Sequence, residues 1–129
     1  MKYIYESAND LLMKAFPEMK EIYQNNTEED GVPYYDDWAY HFYETEFEQF
    51  VLKQIKSKNE PQLRKIFNFV EDMLANGDEG IVNLVGVAVV ESLYFDDGSG
   101  KHGNLLDTIF KYCGEKTRES FMDCINYVP

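Results

Sequence analysis

Residues 59–80 read NEPQLRKIFNFVEDMLANGDEG, a whole helix with its start and stop signals. Asn59 is an N-cap candidate, Pro61 sits in the first turn, and Gln62 falls at the capping-box position. Leu63, Ile66, Phe67, Val70, Met73 and Leu74 then recur at the period of a helix rather than at the alternation of a strand. Gly77 predicts a left-handed stop. Asp78 recaps the chain at once, with Glu79 favourable near a helix N-terminus. Two helices joined by about three residues are antiparallel neighbours, so 59–95 predicts an αα-hairpin.

The second arm, from Ile81 to Phe95, is apolar on nearly every side, broken by Asn83, Gly86, Glu91 and Ser92. A helix of that kind is expected at the centre of a domain. Its valines would also suit a strand; length, caps and the short link decide for a helix. Beyond it, Asp96 to Asn104 reads as a loop. Leu105 to Cys113 and roughly Thr117 to Asn126 read as two closing helices parted at Gly114.

Upstream, Ser7 or Asn9 can cap a helix through Phe16, which Pro17 interrupts, and Glu18 to Gln24 resumes a short one. Asn25 to Pro33 is turn chemistry. A long helix follows from about Asp36 to Ser57, its core side marked by Tyr40, Tyr43, Phe47, Phe50 and Val51. The expected fold is all-α: one domain over 1–129, an irregular helical bundle or a short stack of αα-hairpins, with a central buried helix near 79–95.

With 129 residues, 44% apolar and 16% aromatic, the chain can bury a core and is too hydrophobic for a disordered acidic tail. No apolar run suits a signal peptide, and the longest falls short of the ~20 residues that span a bilayer, so a cytoplasmic location is expected. Cys113 and Cys124 lack C-x-x-C spacing; reduced thiols are expected, with a helix-linking disulfide as the alternative.

Charge is the chain's second strong signal. The net charge is −12, and nine carboxylates with no lysine or arginine fill the interval between Lys20 and Lys53. Tyr34, Tyr35, Trp38, Tyr40, Phe42, Tyr43, Phe47 and Phe50 share that interval. Acid repels nucleic acid and membrane surfaces and draws a basic protein. Rings beside it supply the rigid area that binding hot spots favour. The candidate partner-binding residues are therefore Tyr34, Tyr35, Asp36, Asp37, Trp38, His41, Glu44 and Glu48. Trp38 and Phe42 point away from the core side of the long helix, making them candidates for exposed anchors, with packing on a neighbouring helix as the rival reading.

Asp37, His41, Glu44 and Glu48 fall on one narrow stripe at about 100° per residue. Imidazole and carboxylates can hold a divalent metal. A di-iron bundle, however, needs Glu-x-x-His on two helices, which this chain lacks, so no metal and no cofactor are expected. Gly98-Ser-Gly-Lys101 departs from a phosphate loop, which requires G-x-x-x-x-G-K-[ST] between strand and helix. No G-x-S-x-G and no credible cysteine–base pair is present. No catalytic residue is expected.

The run from Phe67 through Glu71-Asp-Met-Leu-Ala-Asn-Gly-Asp-Glu-Gly80 to Tyr94, continuing into Leu105-Leu-Asp and Cys113-Gly, resembles small all-helical bacterial immunity proteins. These are encoded beside polymorphic toxins, including contact-dependent growth inhibition systems. The likeness covers the C-terminal half. It implies a cytoplasmic, non-enzymatic inhibitor that covers the active site of a cognate toxin effector domain, with a basic ribonuclease favoured. The alternative is a small helical adaptor or regulatory protein without a toxin partner. Oligomeric state is not legible in the sequence.

Overall fold

Asn59 opens its helix as expected, its side-chain oxygen accepting from the Gln62 N–H at 3.4 Å. Its own N–H and side-chain amide donate instead to the carbonyl and side chain of Gln54, at 3.1 and 3.0 Å. The computed structural model describes residues 2–25, 39–98 and 105–127. Among them stand seven helices. After a 3₁₀ turn at Tyr5–Ser7 come α1 (Ala8–Ala15) and α2 (Glu18–Asn25). Helix α3 runs over 39–56, α4 over Glu60–Asn76 and α5 over 79–98. Helices α6 (Leu105–Tyr112) and α7 (Glu115–Ile125) close the chain. The described chain is about 87% helical, an all-α irregular bundle.

Helix α5 lies at the centre, packed against α3, α4, α6, α7 and the 3₁₀ turn. Ile81, Leu84, Val85, Ala88, Val89, Val90 and Leu93 are buried along it. Burial is not complete around its circumference: Val82 and Val87 are each 40% exposed. The helix also continues past Phe95 to Gly98, where a loop was expected. Against this axis, α3 contributes Tyr43, Phe47 and Val51 and α4 contributes Leu63, Ile66, Phe67, Val70 and Met73. The Phe16 ring joins the two sides, with centroids 5.7 Å from Phe47, 5.5 Å from Phe50 and 5.5 Å from Phe69.

Two helices carry a π-helical segment, Phe42–Phe47 in α3 and Val85–Glu91 in α5, and the two segments pack together. An i→i+5 turn is wider than an α turn, so side chains beyond it leave the faces that α arithmetic assigns. Of the two readings of Phe42, exposed anchor or packing on a neighbouring helix, the second holds: it is fully buried, its ring 5.2 Å from Tyr23 of α2. Tyr43 is buried too and satisfies its hydroxyl on the Ala8 carbonyl at 2.5 Å.

The expected left-handed stop is also displaced. Gly77 is extended (φ −85°, ψ 158°), whereas Lys58, at the end of α3, has φ 56°. Lys58 N–H bonds Ile55 and Asn59 N–H bonds Gln54, the paired bonds that complete a Schellman ending. Gly77 is held extended by the N-terminal strap. Lys2 and Tyr3 donate to Asn76, and the Asp78 N–H donates to the Tyr3 carbonyl at 2.8 Å. The Tyr3 hydroxyl is bonded to the Asp72 carboxylate, which holds Asp72 below the usual carboxylate range. Asp78 caps α5 as expected, accepting from Ile81 N–H at 2.8 Å, and ties down the Tyr5 N–H at 3.2 Å.

Helix α7 receives its cap from another helix. Gly114 has no side chain to offer, and Glu71 of α4 accepts from the backbone of Lys116 and Thr117 and from the Thr117 hydroxyl. Burial alone would raise the Glu71 pKa. The bonds from Thr117 and Lys116, aided by the Lys116 charge, bring it below the ordinary value.

Candidate functional site

Five of the eight expected partner-binding residues, Tyr34, Tyr35, Asp36, Asp37 and Trp38, lie outside the described residues. The other three lie on α3. His41 ends its first α turn and is half-buried. Glu44 is exposed within the π segment. Glu48 follows that segment and is half-buried, turned toward α5 rather than standing on a solvated stripe. Its carboxylate accepts a hydrogen bond from the Ser92 hydroxyl and faces Asp96. The wide turn between Glu44 and Glu48 is the physical reason that the stripe does not continue straight.

Ser92 and Asp96 are additions that sequence reasoning missed. They stand one α turn apart on α5, and their pairing with a residue 44 or more positions earlier leaves no periodic trace. The result is a small acidic focus made by two helices. Burial, a hydrogen bond with Asp96 and the negative charges of Asp96 and Glu44 push the Glu48 pKa up to about 7, against the lowering effect of Ser92.

That shift sets a pH dependence. From about 4.5 to about 7 the folded chain keeps a proton on Glu48 that the unfolded chain has released. The site's contribution to stability is therefore present at low pH and falls as pH rises through that window. Solvent screening of a half-exposed group reduces the effect to about 1–2 kcal/mol. Glu48→Gln keeps an acceptor for Ser92 and offers Asp96 an amide N–H. Urea denaturation near pH 5 and near pH 8 should show the variant losing less stability between them than the parent. Equal losses would mean that Glu48 is not the group holding the proton.

Elsewhere, Cys113 and Cys124 are unpaired with each other and half-buried, and burial pushes both thiols up. No group of three or more His, Cys, Asp and Glu among the described residues is arranged to hold a metal ion. No helix among them is long and apolar enough to cross a membrane. What the described arrangement offers chemically is an acidic surface beside a packed aromatic interior.

Residues 9–127 match the model of a family described as Domain of unknown function (DUF7674), and the chain belongs to that family. No curated protein and no solved structure matches it.

Proposed function

We propose that this chain is a non-enzymatic immunity protein, which binds a basic toxin effector domain and covers its active site. The observation that carries this reading is the acidic focus of Glu44, Glu48 and Asp96. There burial first, then the hydrogen bond with Asp96 and the charges of Asp96 and Glu44, favour the protonated form of Glu48. A lysine or arginine brought to that point is attracted by the acids gathered there. The same reading places the partner over the start of α3, where the acid- and ring-rich residues 34–38 adjoin the helix. The net charge of −12 complements the basic surface that a nuclease needs for phosphate, which favours a ribonuclease as target.

Co-expression with the product of the neighbouring gene tests the reading. The two products should co-purify, and the chain should protect cells that express the toxin domain. Glu44→Lys reverses an exposed charge at the focus. It should slow association about three- to tenfold and flatten its dependence on salt, with the fold unchanged. If the two products neither co-purify nor show protection, the immunity reading fails. If they bind and Glu44→Lys associates at the parental rate, the interface lies away from α3.

A further inference from the structure

A second surface that α5 helps to form is built differently. An open groove of about 370 Å³ runs between α5 and α7, with Leu74 of α4 at its edge. Val82, Gly86 and Val87 line it from α5; Ser120 and Cys124 line it from α7, and Tyr127 from the chain just beyond that helix. The α5 wall, from Val82 to Glu91, is about two and a half turns long, and Ser120 and Cys124 stand about one turn apart on α7. Val82 and Val87 are each 40% exposed and Tyr127 is 73% exposed, which leaves the apolar part of the groove open.

Gly86 is the informative residue. It lies inside the π segment of a central helix, where glycine is a poor choice compared with alanine. A Cβ there would meet no described atom within 4 Å. Gly77 and Gly114 differ, because a Cβ at either would strike Ile81 or Glu71. The room at Gly86 thus serves nothing within the described fold, and it permits close approach by another backbone, the role small residues play where helices meet.

The rim decides what that backbone carries. Glu91 and Asp123 border the groove, and none of the described residues lining it is a lysine or arginine. Burial raises the Cys124 thiol pKa, and the negative charges of Glu91 and Asp123 raise it further, so the wall itself is electronegative. A second copy of this chain would bring the same acids against these, each molecule carrying −12. Charge complementarity therefore selects a cationic occupant with apolar anchors.

We propose that the groove between α5 and α7 docks a basic amphipathic helix of a partner protein, its backbone crossing close to Gly86 and its lysines or arginines flanked by Glu91 and Asp123. This is helix-in-groove recognition, with apolar anchors at i, i+3/i+4 and i+7 fitting along the α5 wall. It rests on neither the immunity reading nor the α3 surface.

The probe is a fluorescent peptide of about 15 residues with leucines at helical spacing and lysines elsewhere, followed by anisotropy. A matched peptide carries glutamate in place of lysine. The lysine peptide should bind the parent chain, more weakly as salt rises, and the glutamate peptide should not bind. Gly86→Leu fills the groove from within and should weaken binding at least about tenfold, with circular dichroism unchanged. Asp123→Lys, an exposed rim change, should weaken it as well, and Glu44→Lys should leave it within about twofold. Equal binding by the parent and both groove variants overturns the proposal, as does equal binding of the two peptides. A parent dimer in sedimentation that Gly86→Leu dissociates also overturns it, by making a second copy the occupant.

Discussion

Phe47→Ala should destabilise the domain by about 3–5 kcal/mol, the range for removing a buried ring and leaving a cavity. Phe47 is fully buried and stands between four rings, with centroids 5.7 Å from Phe16, 5.9 Å from Tyr43, 6.4 Å from Phe50 and 6.0 Å from Phe69. These come from α3, α4 and the residue that ends α1, so no single neighbour can move in to fill the space without dislodging another. Edge-to-face and stacked pairs add to the area term. Urea denaturation followed by circular dichroism measures the loss. A loss below about 1 kcal/mol would mean that the site collapses freely and that the rings do not form a packed cluster.

Phe47 also marks what the sequence could disclose. Its burial, with that of Tyr43 and Val51, was legible because three large apolar residues recur at i, i+4 and i+8, the mark of a core-facing side. The caps at Asn59 and Asp78 were legible for a similar reason: a side-chain oxygen three residues before a free N–H is local chemistry. Glu48 was misplaced because the turn before it is π-helical, whereas Phe42 follows the second of its two readings and packs on Tyr23. Nothing in Phe-Tyr-Glu-Thr-Glu-Phe distinguishes an i→i+5 turn from an i→i+4 turn.

The candidate site divides along the same line. Its charge was legible, since acid between Lys20 and Lys53 is a matter of composition. Its geometry was not, because Glu48 acquires its character from Ser92 and Asp96 on another helix. Glu71 belongs with these. A glutamate on α4 gave no sign that it would cap α7, and only the bare Gly114 hinted that a cap must come from elsewhere.

Glycine makes the sharpest test of how tertiary contact overrides local rule. Gly77→Ala should cost about 2–4 kcal/mol although its φ of −85° suits any residue. An added Cβ would stand 2.2 Å from Ile81 Cγ2 and 2.5 Å from the Met73 carbonyl oxygen, and the second of these is backbone. Relief requires moving the end of α4, and with it the Asn76 carbonyl that receives Lys2 and Tyr3. The same substitution at Gly86 meets no described atom and should stabilise the domain by about 0.5–1 kcal/mol through helix propensity. Denaturation of both variants gives the comparison in one experiment. A gain at Gly77 would show that the strap does not hold the helix end against α5. A loss at Gly86 would show that the π segment itself demands glycine, and the open space there would then be a by-product of backbone geometry rather than room kept for a partner.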